Sequence, residues 1–137
     1  MPAPIRIIIG EEVYEAELND TGTARRLAAA LPVEAAVARW GGEAYCMTGV
    51  DADPGDPTRE VLEAGELAFW PAGRAFCIFW GPTPASQGTE PRAVSPVVPI
   101  GRILGGLERL NRTCATQTLR IERADAAGVP GGRRPDA

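Results

Sequence analysis

The amino-acid sequence predicts a mostly β protein, a closed β-barrel of about eight strands with two short helices. Three observations carry this. Apolar and polar residues alternate in several short segments bounded by glycine or proline. Only the segment before Pro32 has a clear helical stripe. A central hairpin, GELAFWPAGRAFCIFW, is apolar on both of its faces. Such a hairpin must be covered on both sides, with its outer side under a helix or its inner side filling a barrel.

The elements follow in chain order. Ile5, Ile7 and Ile9 alternate in PIRIIIG, and Tyr14, Ala16 and Leu18 alternate in VYEAEL. Both have the period of half-buried strands, and Gly10-Glu11-Glu12 suits the turn between them. In NDTGTARRLAAALP, Asp20 or Thr21 is placed to cap a helix. Ala24, Leu27, Ala28 and Leu31 fall on its inner face, and Pro32 stops it. VEAAVARW and EAYCMT read as strands joined at Gly41-Gly42. GVDADPGDPT is a loop, and TREVLEAG fits either a helical turn or a short strand.

LAFW and AFCIFW are then strands around a PAGR turn. Phe69, Phe76 and Phe79 belong to the core. GPTPASQGTEPRAVSP is a long loop of the kind that is often functional or mobile. VVPIGRI is a strand, GGLERL a short helix and TQTLRIER the last strand. Residues 1–123 form one domain, and 124–137, without apolar periodicity, form a disordered tail.

Composition excludes several functions. A formal charge of −4 lacks the basic face that phosphates need, so no nucleic acid is expected. No run approaches a membrane span, and no signal segment is visible, so a cytoplasmic protein without membrane contact is expected. Cys46, Cys77 and Cys114 are irregularly spaced and form no disulfide framework. The chain has neither histidine nor lysine. Ser-His, Cys-His and Ser-Lys nucleophiles, Schiff bases and histidine metal ligands are therefore impossible within it. Asp51, Asp53 and Asp56 in DADPGD lack calcium-loop spacing, since Gly55 stands where a third ligand belongs, and read as a polar turn. Neither metal nor cofactor is expected.

The residues Trp40-Gly41, Asp56-Pro57, Gly65-Glu66, Phe69-Trp70-Pro71, Gly73, Gly81-Pro82-Thr83-Pro84, Ser86, Ser95-Pro96-Val97 and Gly101 carry a resemblance. Together with the order of elements, they make the chain similar to small, mostly uncharacterised bacterial and archaeal cyclophilin-like proteins, from Ile5 to about Glu122. The resemblance implies a cyclophilin-like barrel. The chain departs from true prolyl isomerases in two ways: a tight turn replaces their longer groove-lining loop, and the groove histidine is missing. Arg39 falls near the place of their catalytic arginine.

Two tryptophans sit at strand ends beside proline, Trp70 before Pro71 and Trp80 before Gly81-Pro82, where indole can stack a ligand. The leading expectation is a binding module. Its cleft, at the barrel rim, is formed by Trp40, Tyr45, Trp70, Trp80, Gly81, Pro82, Thr83 and Ser86, and takes a small molecule or an extended peptide. The alternative is a prolyl isomerase with Arg39 as the catalytic donor, since weakening amide resonance needs only a positioned hydrogen bond. A third reading is a homo-oligomeric assembly component whose apolar patches form the interface. Arg39 pointing into the cleft favours the isomerase; Arg39 facing water removes it.

Overall fold

The structure, a computed structural model, describes residues 3–124. It is mostly β. The strands are β1 (Ala3–Ile9), β2 (Glu12–Leu18), β3 (Val33–Ala36), β4 (Ala38–Arg39), β5 (Glu43–Met47), β6 (Arg59–Val61), β7 (Glu66–Trp70), β8 (Ala75–Phe79), β9 (Arg92–Ile103) and β10 (Thr118–Arg123). Helix α1 spans Gly22–Ala30, and 3-10 segments cover Pro71–Gly73 and Leu107–Arg112. No helix among the described residues is long and apolar enough to cross a membrane. The expected tail, 124–137, lies outside the described residues except for Ala124, whose N–H donates to Pro4 O at 3.1 Å.

Hydrogen bonding orders the strands β3-β10-β1-β2-β9-β7-β8-β5-β4, with β6 added on β9. The expected closed barrel is corrected here, because this path has two ends and no ladder joins them. Those ends, β3 and β4, are consecutive pieces of one segment, Val33–Arg39. β3 pairs with β10 and β4 with β5, so the segment changes partners at Val37. The Val37 N–H still follows the β3–β10 register, donating to Gln117 O 3.2 Å away, before the chain turns to β5. The sheet's edges are thus linked through the covalent chain rather than by paired strands.

The alternating segments behave as their pattern requires. Ile5, Ile7 and Ile9 of β1 and Tyr14, Ala16 and Leu18 of β2 are buried in the main core. Ala24 and Leu27 of α1 join them. Thr21 caps α1, its Oγ accepting from Ala24 N at 3.1 Å. Asp56 adds a second cap from a distant loop, accepting from Gly22 N at 3.2 Å and Thr23 N at 2.7 Å. The loop carrying it is pinned in turn, with Asp53 N donating to Thr23 Oγ at 2.9 Å. Of the DADPGD aspartates, Asp56 thus serves the start of the helix, where carboxylates are favoured by exposed N–H groups and the helix dipole. Asp51 pairs with Arg74 at 3.0 Å, and the Asp53 carboxylate accepts from Gly55 N at 3.0 Å.

The hairpin β7–β8 fills two cores. Leu67, Phe69, Phe76 and Ile78 face the main one. Ala68, Ala75, Cys77 and Phe79 face a second, smaller one with Leu62, Ala93 and Val97. Its cover is no helix. It comprises β6, the 81–91 segment and the first half of β9, which begins at Arg92, inside the expected loop. β9 serves both layers because it bulges: Leu67 pairs with Gly101, but Ala68 pairs with Pro99. Burying each phenylalanine is worth roughly 2–3 kcal/mol, so both layers are substantial.

Candidate functional site

The corner between β4 and β5 sets one wall of a cleft. Trp40 and Glu43 exchange backbone hydrogen bonds, N–H to O, at 2.9 and 3.2 Å across Gly41-Gly42. Gly41 takes a φ of +62°, which an L side chain resists. Gly42 is needed for a different reason: a Cβ there would lie 2.4 Å from the carbonyl carbon of Gly81. The corner is thus pressed directly on the Gly81-Pro82 backbone, and Gly42 N donates to Pro82 O at 2.8 Å.

Alternation then puts Tyr45 on the same face of β5 as Glu43. Cys77 pairs with Tyr45, and Phe79 with Glu43, so these two lie beside them on the same sheet face. Trp70, at the end of β7, stands edge-on to Tyr45 with ring centroids 6.5 Å apart and planes at 76°. Its indole N–H donates to Ser95 Oγ on β9 at 2.7 Å, which fixes the ring. Trp40, Glu43, Tyr45, Trp70, Ala93, Val94 and Val97 enclose a cleft of about 190 Å³. It opens on the second core.

Glu43 is the unusual member. It is only 7% exposed, and no cation pairs with it among the described residues. Burial pushes its carboxyl up to about 7, opposed by the neighbouring Cys77 thiol. The same burial holds the Cys77 thiol well above its ordinary value. Beyond Phe79 in the same row lies Glu66, likewise buried, but its carboxylate is held by Arg59 at 2.5 and 2.9 Å. A carboxylate paired with arginine and a carboxyl with only a thiol beside it therefore lie on one sheet face.

The expected site residues fall into separate groups. Trp40, Tyr45 and Trp70 come together around the cleft. Arg39 and Trp80 do not line it. Arg39 pairs with Ala44, whose side chain is in the main core, so it lies on the face opposite Tyr45. Its Nε donates to Gly41 O at 2.9 Å, and its Nη1 to Asn111 O at 2.7 Å and Thr113 O at 3.2 Å. The guanidinium lies 5.3 Å from the Trp80 ring centroid. Trp80 Nε1 in turn donates to Asn111 Oδ1 at 2.9 Å. This cluster fastens the 3-10 segment Leu107–Arg112 to the sheet.

Gly81, Pro82, Thr83 and Ser86 form the base of the covering loop. Thr83 is buried, with Oγ donating to Arg92 O at 2.5 Å. Ser86 Oγ accepts from Thr83 N at 2.9 Å and donates to Glu90 O. The Glu90 carboxylate accepts from Gln87 N and Gly88 N, both at 2.8 Å, and from Arg92 Nε at 3.0 Å. These bonds, the Gln87 N–H first, pull its carboxyl down to about 2. The loop hydroxyls are spent within the loop.

The family model described as Cyclophilin-like matches residues 3–122. The chain belongs to the Cyclophilin-like family. The solution structure of a hypothetical protein from Archaeoglobus fulgidus is similar at 31% identity and a TM-score of 0.70, covering 90% of this chain and 95% of that one. No curated protein gives a significant match. In this Cyclophilin-like chain, sequence reasoning missed Glu43, Ala93, Val94 and Val97 as cleft residues. Glu43 carried a signal: in EAYC it alternates in phase with Tyr45.

Proposed function

We propose that the chain is a binding module whose cleft between Trp40, Tyr45 and Trp70 takes the apolar head of a small molecule or of an extended peptide. The observation that supports this is the convergence of three half-buried aromatic side chains on one opening. Aromatic rings that are neither fully packed nor fully wet are what ligand clefts use. At about 190 Å³ the space suits a head group rather than a drug-sized molecule. An engineered cavity of ~150 Å³ already takes benzene.

Prolyl isomerisation through Arg39 needs a guanidinium free to donate to a proline nitrogen. Arg39 instead donates to three backbone carbonyls and lies on the other sheet face. Binding without catalysis is therefore the reading the geometry favours.

Titration of isotope-labelled protein with benzyl alcohol tests it through the three indole N–H resonances. Those of Trp40 and Trp70 are expected to shift saturably while Trp80 stays in place. Equal movement of all three, or of none, would refute the reading.

A further inference from the structure

Three aromatic rings and one buried carboxyl without a cationic partner share the cleft. We infer that its ligand carries a quaternary ammonium group, held by the faces of Trp40, Tyr45 and Trp70 and neutralised by Glu43. This rests on the binding reading above and names the chemistry of that site.

The rings meet the geometric demand. A cation gains most when several π faces surround it from different directions, tryptophan being the strongest. Tyr45 and Trp70 stand nearly perpendicular, so they make two walls of a box rather than a stack. Trp40 adds a further wall from the β4–β5 corner. Trp70 cannot swing away freely, since Ser95 holds its indole N–H.

Charge supplies the second argument. A carboxylate so deeply buried is costly unless paired. No group facing Glu43 brings it a positive charge: Cys77 offers only a thiol hydrogen bond, Tyr45 is neutral, Phe79 is apolar, and beyond it Arg59 is taken by Glu66. The β9 wall is Ala93, Val94 and Val97. A quaternary ammonium suits this setting better than a primary amine. It has no N–H groups that would be left without acceptors in an apolar wall, and its methyl groups match the alkyl side chains. Such a group can come from a small molecule or from a trimethylated lysine side chain, and the two share this recognition chemistry.

The test compares choline with its neutral carbon isostere, in which a tert-butyl group replaces trimethylammonium, using the Trp40 and Trp70 resonances at about pH 8. Choline is expected to bind at least about tenfold more tightly than the isostere. Glu43→Gln should shrink that preference severalfold without abolishing it, because the three rings still favour a cation. Choline affinity should rise between about pH 6 and pH 8 in the wild type and stay flat in the variant. A trimethyllysine peptide tighter than choline would assign the peptide source; equal or weaker binding would assign a small molecule. Equal binding of choline and isostere would overturn the ammonium inference and leave the cleft reading standing. Binding of neither, with benzyl alcohol also inert, would overturn both. A preference for choline undiminished by Glu43→Gln would refute the role of Glu43.

Discussion

Glu43→Gln also probes the fold itself. The Glu43 carboxyl ordinarily titrates at 4.5, and burial moves it to about 7 in the folded protein. Between those values the folded state keeps a proton that the unfolded chain has released. Stability therefore falls as pH rises through this window, and levels off above about 7. At ~1.36 kcal/mol per pH unit the whole displacement corresponds to roughly 3 kcal/mol. Most of it, about 2–3 kcal/mol, falls between pH 5 and pH 8. That is a large part of the 5–15 kcal/mol typical of a domain.

Glutamine has nearly the same shape and no charge to lose. Its amide introduces a constant offset, so the diagnostic quantity is how the difference between variant and wild type changes with pH. Urea unfolding followed by tryptophan fluorescence, under reducing conditions, measures it. The variant should gain about 2–3 kcal/mol on the wild type from pH 5 to pH 8. Asp56, Glu12 and Glu90, whose carboxyls are lowered, stabilise above their unfolded values and lose this only under more acidic conditions, outside the window. A difference flat to within about 0.5 kcal/mol would show that water reaches Glu43 freely in the folded state, and the reasoning would fail.

Two further substitutions test structural roles. Arg39→Ala should cost about 1–2 kcal/mol in urea unfolding, through the carbonyls of Gly41, Asn111 and Thr113 and the Trp80 face, while leaving the benzyl alcohol titration at Trp40 and Trp70 unchanged. An undiminished stability with a changed titration would move Arg39 to the ligand site. Asp56→Ala should cost about 1 kcal/mol and increase hydrogen exchange at the Gly22 and Thr23 amides, which lose their acceptor. Unchanged exchange there would mean that the start of α1 does not depend on this carboxylate.

Much of the fold was legible because burial and alternation coincide. Ile5, Ile7 and Ile9 point inward as their spacing requires, and Thr21 caps α1. Closure was not legible, since it depends on where one strand changes partners, and VEAAVARW reads as a single strand through the Val37 break. The start of β9 was hidden by proline. Pro96 lacks a donor and marks loops in sequence, yet β9 carries it where its neighbour is the short strand β6. Of the site, the tryptophans were visible as candidates, but which of them share a cleft was not. Trp70 and Trp80 both precede prolines or glycines at strand ends, and only the registers of β5, β7 and β8 place one beside Tyr45. Glu43 falls in the strand EAYCMT in phase with Tyr45, but the sequence does not show that this end of the strand is covered.

The position of the cleft follows from how the two-sided hairpin is covered. The outer face of β7 and β8 needs a second layer, and β6 with the first half of β9 supplies it over Ala68, Cys77 and Phe79. This layer cannot extend further as sheet. Pro82 and Pro84 interrupt the covering segment, and hydrogen bonds among Thr83, Ser86 and Glu90 fold it back on itself. Cover therefore runs out at the β4–β5 corner, where the side chains left at the margin are Trp40, Tyr45, Trp70 and Glu43. If the margin were only unfinished packing, small aliphatic residues there would avoid both the half-buried indoles and the buried carboxyl. Large aromatics and a carboxyl make poor filler, so on the proposed binding reading the place where the second core stops is the place where a ligand would complete it.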